Sequence, residues 1–271
     1  MYKHNRTMGP IYQFRILGKL LFAAALMPVL LAAPHASPAP KGGEDAYTIV
    51  KNSYDYWRGD KSYAEMDMVI HRPEWERKMS MRAWTQGEDK TLVLITSPPK
   101  DRGSGTLRLG RQMWNYIPAI RRTIKLPPSM MAQAWMGSDF SNNDLAKADS
   151  ILVDYTHRIV RTDLRDGHTV FTIESTPKPN APVVWGKEIL EIRDDYIFLS
   201  ESFYDEEYKL VKVMRTEKIQ PMGGRLFPAV WRMKKADRPD EYTLIVYRSL
   251  DFSPRLPPGL FTLQRLKNPR M

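Results

Sequence analysis

The sequence predicts a mainly β protein of the α+β class, a large antiparallel sheet strongly curled around a helical plug. Three observations carry this. Apolar and polar residues alternate with period two along many runs, the pattern of strands with one wet face. Short turn signals such as Gln86-Gly87, Asp166-Gly167 and Met222-Gly223-Gly224 divide several of those runs. The runs follow one another without the strand–helix–strand rhythm of a parallel sheet, and helical patterns occur only near the start, the middle and the end.

Residues 44–58 open with Glu44 and Asp45, then set Ala46, Ile49, Val50, Tyr54 and Trp57 close to one helical stripe. Gly59 and Asp60 end it, so Arg58-Gly59-Asp60 reads as a helix stop. Over 62–71, Ala64, Met66, Met68 and Ile70 face one way while Glu65, Asp67 and His71 face the other. Over 74–84, Trp75, Met79, Met81 and Ala83 oppose Glu74, Glu76, Lys78, Ser80 and Arg82. Further strand patterns cover 90–97, 105–110, 112–117, 121–126, 151–162, 168–176, 185–193, 196–204, 209–219, 226–235 and 241–250. Residues 128–148 break the alternation and read as one or two short helices divided near Gly137, with Ser141 as N-cap. After Pro254, Pro257 and Pro258 a short terminal helix closes the chain.

The N-terminus belongs to export rather than to the fold. Lys3, Arg6, Arg15 and Lys19 precede an apolar run from Leu20 to Ala33, and Ala-, Ser- and Pro-rich sequence follows. A run of that length, interrupted by Pro28, is short for a membrane-spanning helix and predicts a secretory signal peptide over 1–36, leaving 37–271 as one domain in the periplasm. The chain has 271 residues and no cysteine, which excludes disulfides, thiolate metal sites and a cysteine nucleophile. The net charge is +10; residues 1–36 contain four basic residues and no acid, leaving +6 on 37–271. In an exported protein that excess points to anionic head groups or acidic protein surfaces, and not to nucleic acid.

Catalytic motifs are absent from the sequence. Beyond the leader, His71, His157 and His168 stand without metal-ligand spacing, and there is no nucleophile elbow, P-loop or zinc-protease helix. Gly103-Ser104-Gly105 lacks the following Lys and reads as a tight turn. Asp194-Asp195 and Glu206-Glu207 occupy turn-like positions. No catalytic residue, metal ligand or cofactor is therefore assigned.

The densest feature is residues 98–145. Between 100 and 125, seven basic residues stand against the single acid Asp101, interleaved with Leu107, Met113, Trp114, Tyr116, Ile117 and Ile124. One reading is an amphipathic rim, with apolar side chains inside a cavity and Arg heads at its mouth. The other, an exposed charged edge beside an ordinary core, stays open at this point. Met130, Met131, Ala134, Trp135 and Met136 follow, and methionine suits a surface that accepts variable apolar ligands.

The strings Met113-Trp114-Asn115-Tyr116-Ile117-Pro118 with Arg121-Arg122, and Gly137-Ser138-Asp139-Phe140 with Asp144-Leu145, resemble the outer-membrane lipoprotein-sorting proteins, the LolA-like carriers. The resemblance extends from the first helix to the Phe252-Ser253-Pro254…Leu260-Phe261 tail. It implies a half-open β-barrel closed by short helices over an apolar cavity. It also implies a monomeric, cofactor-free carrier that moves acyl chains of a lipoprotein or another envelope lipid toward the outer membrane. The partners implied are an inner-membrane exporter of RND/MMPL or ABC type and an outer-membrane receptor.

Alternation and the resemblance together place Met66, Met68, Met79, Met81, Trp114, Tyr116 and Ile117 in the wall. They place Met130, Met131, Trp135, Met136 and Phe140 in the lid, and Arg102, Arg108, Arg121 and Arg122 at the mouth for head groups or partner docking. Two other readings of the same chain stay open, a lipid-sensing regulator of this fold and a periplasmic lipid hydrolase.

Overall fold

The computed structural model describes residues 44–146 and 149–268; the expected signal peptide lies outside the described residues. Helix α1 spans Ala46–Arg58 and is capped by Asp45, whose Oδ1 accepts from the Thr48 N–H at 2.7 Å. It ends at Gly59 with φ 64°, a conformation that glycine adopts without steric cost.

Thirteen strands follow in one antiparallel sheet. The first six are β1 (Lys61–Arg72), β2 (Trp75–Gln86), β3 (Lys90–Ser97), β4 (Gly105–Leu109), β5 (Gln112–Ile117) and β6 (Arg122–Lys125). The other seven are β7 (Tyr155–Arg165), β8 (His168–Pro177), β9 (Lys187–Arg193), β10 (Phe198–Tyr204), β11 (Leu210–Met222), β12 (Arg225–Lys235) and β13 (Tyr242–Asp251). The spatial order is β6-β5-β4-β3-β2-β1-β13-β12-β11-β10-β9-β8-β7. Every neighbouring pair is consecutive in sequence except β1 and β13, which join two meanders through pairs such as Met68 with Ile245 and Ile70 with Thr243. The sheet curls without closing, and β6 and β7 remain as its free edges.

The expected alternation in β1 holds: Ala64, Met66, Met68 and Ile70 are all buried. In β2 the inward set is Met79, Met81 and Ala83, whereas Trp75, at the strand's outer end, is 50% exposed. The pattern expected as strand from 151 begins instead with helix α3 (Ser150–Val153), and β7 starts at Tyr155. The reason is visible in the packing. Ile151 and Leu152 are adjacent and both buried, and they share one core with Ile49, Val50 and Tyr54 of α1, which a strand's alternation would not allow.

A segment from Leu126 to Asp154 connects the two free edges. It holds two short 3-10 turns, Pro128–Met130 and Trp135–Gly137, then α2 (Asn142–Ala146) and α3. Met136 and Gly137 both have positive φ, which breaks the segment where the sequence placed the division. Ser141 caps α2 as expected: its Oγ accepts from the Asp144 N–H, and Asp144 Oδ2 accepts from the Ser141 N–H at 2.7 Å. Helix α4 (Leu263–Lys267) packs Leu266 on the outer face of β3 and β4. Gly105 makes that approach possible, since a Cβ there would lie 2.7 Å from Leu266 Cδ1 and 2.8 Å from Leu94 Cδ2.

Candidate functional site: an apolar cavity under a latched lid

The inner face of the curled sheet, α1 and the 126–154 segment enclose a cavity of about 310 Å³. Its wall alternates as strands require: Met81 and Ala83 from β2, Leu190 and Ile192 from β9, Trp231 and Met233 from β12, Ile245 and Tyr247 from β13. Helix α1 adds Val50, Tyr54 and Trp57, and the lid adds Trp135, Phe140 and Leu145. Trp57 and Trp231 meet edge-on with ring centroids 5.4 Å apart, and Phe198 and Tyr247 lie about Trp231 at 5.9 and 6.0 Å.

Polar contacts fasten the lid to the sheet on several sides. Arg72, at the end of β1, donates to both carboxylate oxygens of Asp139 at 3.1 and 3.2 Å, and the Thr243 hydroxyl on β13 donates to Asp139 at 2.7 Å. Trp135 Nε1 donates to Thr106 Oγ1 at 3.0 Å, and Thr106 in turn donates to Asn115 Oδ1 at 2.8 Å. Arg108 Nε donates to the Ala146 carbonyl at 2.8 Å, and its guanidinium also reaches Asp149. Lys212 on β11 holds Asp144 of α2. Asn115 and Asp139 belong to the two motif strings, so those strings mark where wall and lid are joined.

The expected wall and lid residues divide into four groups. Met66, Met81, Trp135 and Phe140 line the cavity. Met68 and Met79 are fully buried in the core beside it, where Met130, Met131 and Met136 of the lid pack. Trp114 and Tyr116 point to the opposite face of β5 and pack under the C-terminal segment with Leu260 and Leu266. This corrects their placement in the cavity wall. On β5 it is Met113 that faces inward, while Trp114 and Tyr116 take the alternate parity. Ile117 is exposed at the strand's end.

The arginines divide as well. Arg121 and Arg122 are exposed at the turn into β6, where Arg121 takes a left-handed conformation at φ 51°. Arg102 is exposed in the β3–β4 loop and donates to the Thr96 carbonyl at 3.0 Å. Arg108 is not at the mouth. It is 1% exposed, and its charge is met by Asp149 and by the carbonyls of Glu88 and Ala146, so it ties the lid's end to β4.

A polar group inside the cavity escaped the sequence reading. Glu188 on β9 and Glu201 on β10 line the wall with Tyr155, close to the Lys212–Asp144 pair. Burial pushes Glu188 up to about 7, and burial together with Glu188 holds Glu201 well above the usual carboxylate range. On the β7–β9 side of the sheet, His168, Asp194 and Asp195 bring potential ligand atoms within 4.8 Å of one another. Asp194 there accepts from His168 and from the Thr169 N–H, and Asp195 accepts from Arg193, so both acids are engaged by the protein itself.

The model of a family described as "Uncharacterized protein" matches residues 87–268, two thirds of the chain. No curated protein matches in sequence. Among solved structures, the fold is similar to a DUF1329 family protein from Desulfovibrio piger, with TM-score 0.74 and 22% identity over 81% of this chain and 97% of that one. It is also similar to a LolA superfamily protein from Nitrosomonas europaea, with TM-score 0.68 and 22% identity over 82% of this chain and 99% of that one. A candidate outer membrane lipoprotein-sorting protein domain from Vibrio parahaemolyticus gives TM-score 0.70 and 20% identity over 82% and 98%. At such identities the likeness speaks for the fold, the half-open barrel with its helical lid. The chain belongs to the family whose model spans its residues 87–268, and its fold is LolA-like.

Proposed function

We propose that this protein is a periplasmic carrier that shelters acyl chains of a lipoprotein or another envelope lipid between its curled sheet and its lid. The observation that carries the reading is the apolar cavity of about 310 Å³ beneath a lid fastened by polar contacts. At roughly 30 Å³ per group, that volume takes about ten methylene-sized groups. At about 0.8 kcal/mol for each buried methylene, ten of them gain about 8 kcal/mol. A longer chain, or several, needs the lid to move, and the methionines beneath it can repack as it does.

The similar lipoprotein-sorting domain supports the same cargo class and the periplasm as its place of work. No helix among the described residues is long and apolar enough to cross a membrane. Delivery runs from the inner toward the outer membrane, with loading from an inner-membrane exporter of RND/MMPL type. Exposed Arg102, Arg121 and Arg122 then offer the docking face for anionic head groups or an acidic partner surface. The test is mass spectrometry of the protein isolated from periplasm without detergent. A stoichiometric acylated molecule is expected. A protein that stays empty even after incubation with envelope lipids and lipoproteins would overturn the reading.

A further inference from the structure

The cavity is not uniformly apolar, and its polar patch has a definite composition. Glu188 pairs with Phe203 across β9 and β10, and Phe203 pairs with Lys212 across β10 and β11, so the three side chains share one rung of the inner face. Glu201 sits two residues before Phe203 and is the diagonal neighbour of Glu188, within reach of its side chain. Glu188 is 4% exposed and faces Glu201 and the Tyr155 phenol, itself 2% exposed, at hydrogen-bonding range. Asn143 of the lid, also buried, adds a free carbonyl oxygen to the same cavity.

The two carboxyls and the phenol bear on one another, and a wall carrying them is costly to cover with an alkyl chain alone unless the guest brings a polar group to them. The nearby cation does not partner them, because Lys212 is held by Asp144 and its Nζ lies over the Phe203 and Trp185 rings at 4.8 and 5.0 Å. Three acids and one base face this end of the cavity. The cation that lines the cavity itself, Arg58, donates to the carbonyls of Gly87 and Lys90 and to Thr91 Oγ1, which binds α1 to the β2–β3 hairpin.

Building on the carrier reading, we infer that the cargo enters with a polar end that donates hydrogen bonds, a hydroxyl or an ammonium group, and that Glu188, Glu201 and Tyr155 receive it inside the cavity. An anionic end is disfavoured, since it would meet a carboxyl pair that shares negative charge in a low-dielectric space with no free cation beside it. Because burial holds both carboxyls above their usual range, the pair keeps a proton near neutral pH, so it can accept from a hydroxyl and donate to it at once. The alkyl part then runs along Leu190 and Ile192 toward Trp57 and Trp231.

The test compares three ligands of equal chain length, dodecanol, dodecylammonium and dodecanoate, titrated into the delipidated full chain near neutral pH. The tryptophans of the wall (Trp57, Trp185 and Trp231) report occupancy by fluorescence. The alcohol and the ammonium ion are expected to bind at least about tenfold more tightly than dodecanoate. Replacing both acids, Glu188→Gln with Glu201→Gln, should erase most of that preference while the alcohol still binds. Dodecanoate binding as tightly as the other two, or a preference that survives the double substitution, would overturn the inference while leaving the carrier reading intact. Failure of all three ligands to bind would overturn both. Should the double variant not fold, the order of the three ligands on the unaltered protein decides.

Discussion

Asp139 of the lid accepts from both terminal nitrogens of Arg72, and its carboxylate is 1% exposed, so the wall and the lid meet at a buried ion pair. The Thr243 hydroxyl completes the arrangement from β13, donating to the Asp139 carboxylate and accepting from the Asp139 N–H. Removing one member of such a pair leaves the other desolvated, at a cost of about 3–5 kcal/mol. For Asp139→Ala the lower end, about 3 kcal/mol, is expected, because Glu241 still contacts Arg72 at 3.1 Å. Amide hydrogen exchange over 127–146 should quicken more than exchange in β9–β12. Uniform quickening of the whole sheet would mean that Asp139 supports the barrel and not the lid alone.

The second latch is neutral. Thr106→Val takes the acceptor from the Trp135 indole and the donor from Asn115 without changing side-chain shape much. An unsatisfied buried donor costs about 1–3 kcal/mol, and that loss is expected in denaturant unfolding. Trp135→Phe in the Thr106→Val background should then cost little for the hydrogen bond itself, and a double-mutant cycle measures it.

Glu188 makes stability depend on pH. Its folded value of about 7 lies above the ordinary 4.5, so the folded protein binds more protons than the unfolded chain between those values. The stabilisation is therefore present at low pH and is lost as pH rises through about 7. Glu201, Tyr155, Asp144 and Lys212 face the same group. His157, whose imidazole burial lowers, acts in the opposite sense below its ordinary 6.5, so the informative quantity is the difference between proteins at the same pH. Glu188→Gln should raise the melting temperature at about pH 8, by a gain of about 1–3 kcal/mol, and change it little at about pH 5. A difference that does not vary with pH would show that Glu188 does not titrate in this range.

Arg121 and Arg122 are exposed, so reversing both charges is expected to leave the melting temperature within about 4 °C. Transfer of cargo to or from a membrane partner should weaken. A large drop in melting temperature would make the pair structural instead.

Gly105→Ala places a methyl carbon 2.7 Å from Leu266 and 3.2 Å from the Val93 carbonyl. An overpacked site of this kind costs about 1–3 kcal/mol. Limited proteolysis should then cut within the segment after Asp251, which the parent protein protects by packing Leu260 and Leu266.

The strands were legible because one side chain in two had to be apolar. Ala64, Met66, Met68 and Ile70 announce both β1 and its inward face. Alternation alone failed where both faces of a strand are covered. Met113 meets the lid and Trp114 meets the C-terminal segment, so β5 is apolar on both sides and its parity gives no direction. Helix α3 was hidden because a single turn with three consecutive apolar residues, Ile151 to Val153, carries no period. The acid pair had a readable sign, since Glu188 shares its parity with Leu190 and Ile192 in Lys187–Arg193. That Lys212 and Asp144, 68 residues apart in sequence, meet beside it is a property of the curled sheet, which no local spacing encodes.

The two open edges of the sheet, β6 and β7, are consecutive in sequence, and the chain between them is the lid itself. The lid is thus a strap across the seam of the barrel. Spreading the edges to admit a thicker guest pulls on both ends of that strap, while relaxing it lets the walls recoil. A single proteolytic nick between Pro128 and Ser138 would disconnect the strap and leave the two meanders joined by the β1–β13 seam. In such a nicked protein, girth and closure would no longer be linked.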